Sequence, residues 1–271
     1  MKIVDVGSGP PVVLVPGIQG RWEWMKPAVD ALCTRCRVIT FSLADEPTCG
    51  WTFKEVDGFN AYVEQVREAL DAKGIQKAAI CGVSYGGLVA AGFAARHPDR
   101  VASLIMVSAI PPGWKPDGRV RFYLRAPWLL SPLFLIGSMR MYREIAAATP
   151  GVLAGMWTAV RHALNALRHI FSPGRMARRV HMLEAVNLGT ALERVDVPTL
   201  VITGEPSLDR VVPVALTKEY LRIWPRAVHT TLARTGHLGL ITRSSDFAAA
   251  IAAFLEHHGG PQERPAGVKC G

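Results

Sequence analysis

The stretch "ICGVSYGGLVAA", from Ile80 to Ala91, decides the fold because it sets a serine at the point where a strand pattern changes to a helix pattern. An apolar run precedes Ser84, and an alanine-rich segment follows it. Residues Gly82 to Gly86 match G-x-S-x-G, a motif in which a sharp strand-to-helix turn holds the serine above the end of a sheet. The pentapeptide alone is a weak signal. Its position between a strand and a helix makes Ser84 a candidate nucleophile.

Short β-like runs alternate with helix patterns along most of the chain. Several of the runs are continuous and apolar, as buried parallel strands require. Strict alternation of strand and helix indicates a mostly parallel central sheet flanked by helices on both faces. We therefore predict an α/β fold, with strands over 11–17, 37–43, 77–84, 101–109, 199–205 and 227–233 and helices over 22–33, 57–73, 85–97, 214–223 and 245–257.

The alternation stops after Ala109 and resumes at Thr199. The segment between them contains a helix pattern over 152–171, in which apolar residues recur at spacings of three and four. An insertion between two strands of a parallel sheet lies at the carboxyl edge of the sheet, where ligands bind. We predict a core over residues 1–110 and 195–257, a helical cap (lid) over 111–194 and a disordered tail over 258–271.

Positive charge is concentrated in the predicted cap. The chain has a net charge of +9, and residues 112–190 contain eleven basic and three acidic residues, which leaves +8 in that segment. Such a surface attracts an anionic partner: an acidic carrier protein, a coenzyme A ester or a phospholipid membrane surface. The alternative is a solvated, arginine-rich helix face. No nucleic-acid partner is expected, because no binding motif accompanies the charge.

The remaining composition indicates neither a cofactor nor a metal. The five cysteines are scattered and odd in number, which argues against a disulfide framework. Cys33 and Cys36 form a lone C-x-x-C with no second pair to complete a zinc site, so we interpret them as two half-buried small residues. The chain shows no secretory or membrane-spanning segment, and we expect a soluble, cytoplasmic protein.

A serine hydroxyl is a weak nucleophile at neutral pH, so it needs a base, and the base needs an orienting carboxylate. His237, in "ARTGHLGLI", follows the last predicted strand, and Asp209, in "TGEPSLDRVVP", follows the strand before it. Together with Ser84 they give the order Ser, Asp, His. Each lies at the carboxyl end of a predicted strand, where the three side chains can converge.

An oxyanion hole is the fourth requirement, with two backbone N–H groups directed at the developing negative charge. One is predicted on Tyr85, the residue after the nucleophile. The second is predicted on Ile18, in the loop "LVPGIQG" after the first predicted strand, where Gly17 permits a tight turn.

As a set, these motifs resemble the α/β-hydrolase fold family, in its capped serine esterase and lipase-like branch. The resemblance covers about residues 11–110 and 195–257. It implies a catalytic triad of Ser84, Asp209 and His237, with Ile18 and Tyr85 as oxyanion donors.

Three features depart from that family's pattern. Pro16-Gly17 stands where many members have His-Gly, which removes a polar side chain and leaves the backbone donor. Only about ten residues precede the first predicted strand, so the usual leading hairpin must be shortened. Asp209 lies five residues after Gly204, where about three is common, and Glu205 therefore stays an alternative acid.

The sequence predicts a hydrolase that cleaves a carboxylic ester with a medium-sized apolar acyl group, through an acyl-enzyme. Family members that act as haloalkane dehalogenases or epoxide hydrolases carry aspartate at the elbow, so the serine excludes those reactions. Three alternatives stay open: a thioesterase or carrier-linked acyl ester hydrolase that uses the basic cap, a C–C bond hydrolase or perhydrolase, and a receptor for a hydrophobic ligand on a hydrolase scaffold.

Substrate-binding candidates are one glutamine and several tryptophans of the oxyanion loop and the predicted cap. They are Gln19, Trp22, Trp24, Trp114, Trp128 and Trp157. The tryptophans can wall an apolar acyl pocket, and each can equally pack the cap on the core.

Overall fold

A seven-stranded sheet forms the centre of the protein. The computed structural model describes residues 1–138, 141–149, 151, 153, 156–157, 160, 164 and 172–258. The strands are β1 Val4–Val6, β2 Pro11–Val15, β3 Arg37–Thr40, β4 Ala78–Val83, β5 Val101–Val107, β6 Thr199–Thr203 and β7 Val228–Thr231. Their spatial order is β1-β3-β2-β4-β5-β6-β7, and every pair is parallel except β1 with β3. The predicted α/β fold with a mostly parallel sheet is confirmed.

Helices follow the strands on both sides. They are α1 Lys26–Leu32, α2 Asn60–Ala72, α3 Tyr85–Arg96, α4 Gly118–Arg125, α5 Ser131–Ser138, α6 Tyr142–Ala148, α7 Pro173–Leu183, α8 Gly189–Glu193, α9 Val214–Thr217, α10 Tyr220–Ile223, α11 Gly239–Thr242 and α12 Ser244–His258. The predicted helix over 22–33 begins as a 3₁₀ turn at Trp22–Met25. The predicted helix over 214–223 is divided into α9 and α10.

Two apolar layers hold the sheet between the helices. Alternate residues of β2 point to opposite sides, so Val13 packs in the layer of α2 and α3 and Leu14 in the layer of α1 and α12. The central strand β4 is buried along its whole length, which explains its continuous apolar sequence. The short leading segment contributes β1, which pairs with β3 (Val4 opposite Thr40) instead of forming a hairpin with β2.

The helices α4 to α8 lie between β5 and β6, and the described residues there also include turns and loops. Helix α4 begins after Asp117, whose side chain accepts a hydrogen bond from the Val120 N–H, and α7 begins after Ser172, which accepts one from the Arg175 N–H. Most of the predicted helix over 152–171, and residues 259–271 of the predicted tail, lie outside the described residues. The division into core, cap and tail stays a prediction.

We predict that Gly86→Ala destabilises the protein, because a Cβ on Gly86 would lie 2.5 Å from the carbonyl oxygens of Val15 and Pro16. Backbone atoms of β2 cannot rotate away, so α3 must move off the sheet, at about 1–3 kcal/mol. Urea denaturation measures the loss. The control is Gly118→Ala, also within a helix, where the added Cβ meets nothing within 4 Å. Equal unfolding midpoints for the two variants would contradict the prediction.

Candidate active site

Ser84 sits in a strained turn between β4 and α3. Its backbone has φ 53° and ψ −115°, a conformation that costs a non-glycine residue energy and persists only where the surroundings impose it. The surroundings do so through three backbone hydrogen bonds: the Ser84 N–H donates to the Val107 carbonyl at 2.9 Å, and the Ser84 carbonyl accepts the N–H groups of Gly87 at 3.0 Å and Ile110 at 3.3 Å. A Cβ on Gly82 would collide with the Gly86 carbonyl, so only glycine fits there.

Asp209 and His237 meet in the loops after β6 and β7. Oδ2 of Asp209 lies 3.5 Å from Nδ1 of His237, which is an ion-pair distance and long for a hydrogen bond. Both atoms are buried and have no other hydrogen-bond partner within the described residues. The other oxygen, Oδ1, accepts the N–H groups of Val211 and Val212 at 3.0 Å each. The Asp209 carboxylate is therefore fixed by the backbone with one oxygen directed at the imidazole.

The environment of Asp209 keeps it ionised. Burial alone would raise the pKa of the carboxyl, but His237 and the two N–H groups outweigh burial, so the pKa lies below its ordinary value. A negative charge at this point favours the imidazole tautomer that carries its proton on Nδ1 and stabilises the imidazolium cation.

Glu205, the alternative acid, has a different partner. Its Oε1 accepts the Arg234 N–H at 2.6 Å, and its own N–H donates to the Thr235 carbonyl at 2.7 Å. These contacts join the loop after β6 to the loop that carries His237. In this arrangement Glu205 shapes the histidine loop, while Asp209 contacts the imidazole.

The predicted oxyanion loop lies beside Ser84. The Gly20 N–H donates to the Gly17 carbonyl at 2.9 Å, which closes a tight turn. A Cβ on Gly17 would lie 3.5 Å from the Ser84 Cβ. In the part of the chain that the structure describes, the N–H groups of Ile18 and Tyr85 have no protein acceptor, so both are available to a ligand.

Ser84, His237, Ile18 and Tyr85 line one cavity of about 650 Å³. Most of its wall is apolar. Of the substrate-binding candidates, Gln19, Trp24 and Trp114 line it. Trp22, Trp128 and Trp157 are not among the described lining residues: Trp22 packs against the core layer of α1 and α12, and the other two are exposed.

Aliphatic and thioether side chains of the helical segment form much of the cavity wall. The substrate-binding candidates predicted from the sequence were mainly tryptophans and did not include them. They include Val120, Leu124, Ile136, Met141, Met176 and Val180. The spacing of these residues in α4 and α7 indicates an apolar helix face. The sequence does not show whether such a face packs on the core or lines a cavity.

Glu144 of α6 was also missed, and it contacts the histidine loop. Its Oε1 accepts the Leu238 N–H at 2.5 Å and the Thr235 hydroxyl at 3.1 Å. The side chain is buried, and burial raises the pKa of the carboxyl above its ordinary value. Glu144 thus ties α6 to the residue that follows His237. No sequence signal distinguishes it from a surface glutamate.

Three arginines line a second recess that adjoins the cavity. Arg119, Arg143 and Arg210 surround it together with Asp209 and Pro213, and Arg119 lines both spaces. Within the described residues, none of the three has an ion-pair partner. The carboxylate of Asp209 already faces His237 and two N–H groups, so these guanidinium groups are open to an anion.

The cysteines lie apart from this site. Cys33 and Cys36 are both buried, and burial raises the pKa of Cys36 to about 11, which disfavours the reactive thiolate. In the described ranges, no group of three or more His, Cys, Asp or Glu side chains could hold a metal ion. No described helix has both the length and the apolar character that crossing a bilayer requires.

Comparisons with known proteins show which family the chain resembles. The alpha/beta hydrolase family profile matches residues 12–251. A pimeloyl-[acyl-carrier protein] methyl ester esterase of Aliivibrio salmonicida is 25% identical over 255 residues, covering 92% of this chain and 94% of the relative. A protein of Caulobacter sp. strain K31, named as a proposed carbamate hydrolase, is 24% identical over 253 residues, covering 90% of each.

Among solved structures, a thermophilic esterase from Thermogutta terrifontis superposes with a TM-score of 0.74 at 23% identity, covering 95% of this chain and 93% of the esterase. This likeness shows the fold.

We predict that Asp209→Asn slows the reaction of Ser84 with a fluorophosphonate probe by about 10³–10⁴-fold, because the amide no longer holds the reactive imidazole tautomer. Glu205→Gln should change the rate by less than about threefold, since an amide oxygen still accepts the Arg234 N–H. Time-resolved labelling measures both rates. The opposite ranking would make Glu205 the acid.

Proposed function

The chain belongs to the alpha/beta hydrolase family, and on that premise we propose that it is a serine hydrolase that cleaves a carboxylic ester with a medium-sized apolar acyl group. The observation that carries the proposal is the cavity itself. Ser84, His237 and the free N–H groups of Ile18 and Tyr85 line one largely apolar space of about 650 Å³. A space of this size suits an acyl chain next to a nucleophile.

In the first half of the reaction, His237 accepts the proton of the Ser84 hydroxyl while Oγ attacks the ester carbonyl carbon. The carbonyl π electrons move to the oxygen, which takes a negative charge and receives the N–H groups of Ile18 and Tyr85. When the tetrahedral intermediate collapses, the C–O bond to the alcohol breaks, and His237 donates its proton to the departing oxygen. The acyl group stays on Ser84.

In the second half, water takes the place of the alcohol. His237 accepts a proton from this water, whose oxygen attacks the acyl-enzyme carbonyl, and the same two N–H groups hold the second oxyanion. Collapse returns the proton to Ser84 Oγ and releases the acid. Throughout, Asp209 keeps the imidazole oriented and stabilises its cation.

We expect hydrolysis of p-nitrophenyl esters, from acetate to palmitate, to peak at one intermediate chain length, because the cavity has a finite apolar volume. Ser84→Ala should lower kcat by about 10⁴-fold or more. Equal release of p-nitrophenol by wild type and variant at every length would contradict esterase activity. That result would favour C–C bond cleavage, perhydrolysis or ligand binding without turnover, which the same residues also allow.

The arginine recess favours a second candidate, hydrolysis of a thioester or ester linked to an anionic carrier or to coenzyme A. Arg119, Arg143 and Arg210 line the recess beside the cavity and lack ion-pair partners in the described chain. A phosphate-bearing leaving group would lie against them while its acyl chain occupied the apolar space. This candidate is also supported by the similarity to a relative that is named as an esterase of an acyl-carrier-protein methyl ester.

We predict that the triple change Arg119→Gln, Arg143→Gln and Arg210→Gln raises KM for octanoyl-coenzyme A about tenfold and changes KM for p-nitrophenyl octanoate by less than about threefold, since Arg119 alone also lines the acyl cavity. Loss of three charges removes attraction for the phosphates only. Arg121→Gln is the control, since Arg121 shares α4 with Arg119 but does not line either space. Parallel changes for both substrates would rule out an anion subsite.

A further inference from the structure

Arg179 of α7 is an arginine with no exposed surface that reaches from the helical segment into the oxyanion loop. Its side chain is 0% exposed. Nη1 donates to the Ile18 carbonyl at 2.6 Å, and Nη2 donates to Asp45 Oδ1 and Glu46 Oε1, also at 2.6 Å each. Nε adds a hydrogen bond to Asp45 Oδ1 at 3.1 Å. One planar guanidinium therefore joins the loop after β3 to the loop after β2.

The tight turn over Gly17 to Gly20 leaves the Ile18 carbonyl free for this contact. The closing hydrogen bond of the turn uses the Gly17 carbonyl, and the Gly20 carbonyl accepts the Leu43 N–H at 2.7 Å. The Ile18 carbonyl and the Ile18 N–H belong to the two peptide groups on either side of one Cα. The Ile18 N–H shares its planar peptide group with the Gly17 carbonyl, which the Gly20 N–H already holds. The guanidinium fixes the other group, so neither peptide group can rotate alone about the Ile18 Cα.

We propose that Arg179 is a positioning residue for the oxyanion hole, acting through the Ile18 carbonyl to direct the Ile18 N–H toward Ser84. This inference rests on the proposed function. Arg179 does not touch the reacting atoms. It sets the direction of a hydrogen-bond donor before substrate arrives, and such preorganisation gives an oxyanion hole its effect.

The surroundings show a site built around this side chain. A Cβ on Gly20 would collide with the guanidinium, so glycine at this position is what allows Arg179 to pack against the turn. The charges also balance: Arg175 contacts Glu46 Oε1 at 3.1 Å, so two arginines face two carboxylates. Buried ion pairs need such balance and several hydrogen bonds to offset desolvation.

The neighbouring Arg178 provides the matched control. It lies on the same helix, but its side chain is exposed and pairs with Glu55, which is exposed as well. A change at Arg178 therefore alters the charge and the composition of α7 without touching the oxyanion loop.

The test compares Arg179→Lys with Arg178→Lys in the full chain. Lysine keeps the positive charge, but its single ammonium cannot reproduce the fork that reaches Ile18, Asp45 and Glu46 together. We expect Arg179→Lys to lower kcat by about 10–100-fold with KM changed by less than about threefold. Affinity for an alkyl trifluoromethyl ketone, which forms an oxyanion on Ser84, should fall by the same factor, and affinity for the product acid should not change.

A spectroscopic readout separates this inference from the proposed function. The Ile18 backbone amide resonance should shift in Arg179→Lys and stay in place in Arg178→Lys, whether or not an ester is turned over. If the wild-type protein neither hydrolysed esters nor bound the ketone, that result would overturn the proposed function. An unmoved Ile18 resonance would overturn the positioning role.

If Arg179→Lys does not fold, the double variant Arg179→Gln with Asp45→Asn replaces it, since it leaves the ion pair between Arg175 and Glu46 in place. Lower thermal stability with unchanged kcat and unchanged ketone affinity would show that Arg179 only holds the fold together, and would also overturn the proposal.

Discussion

The positive φ of Ser84 is the constraint on which the rest of the site depends. A serine in this conformation cannot relax without releasing the turn, and the turn exists because β4 is the middle strand of the sheet and α3 must start within one residue of its end. The close approach of α3 to β2 requires glycine at position 86. The same approach brings the end of β2, and the oxyanion loop after it, beside the serine. The strained turn thus fixes Ser84 in place and brings the backbone N–H groups of the neighbouring loop close to it.

Parallel strand order brings Asp209 and His237 to the same edge of the sheet. β6 and β7 are neighbours, and the loops that follow them are in direct contact: a Cβ on Gly204 would lie 2.5 Å from Gly236, and one on Gly236 would lie 2.6 Å from the Asp209 nitrogen. This contact leaves little freedom between the loops. The backbone packing of the two loops therefore places Nδ1 of His237 3.5 Å from Oδ2 of Asp209.

The sequence predicted β4 and the turn at Ser84 correctly. There the apolar run, the glycines and the following helix pattern all agree with the burial of β4 at the centre of the sheet. Sequence reasoning missed β1, because a three-residue strand containing Asp5 has no apolar pattern; pairing with β3 and the Asp5–Arg37 ion pair hold it in place. The tryptophans named as substrate-binding candidates stay predictions, and the sequence does not tell which of them line the cavity. Trp24 and Trp22 are two residues apart, and only the packing of the 3₁₀ turn against the core decides which one reaches the cavity.

The number of arginines in the helical segment does not show which groups each of them contacts. Arg178 and Arg179 are adjacent and chemically identical, yet one forms an exposed pair and the other is buried under the oxyanion loop. Arg119 and Arg143 face a recess instead. Glu144 reaches the histidine loop from α6, so buried side chains of opposite charge contact the two loops that flank Ser84. These contacts fix the backbones of both loops, while the cavity wall that the helical segment forms between them is largely apolar.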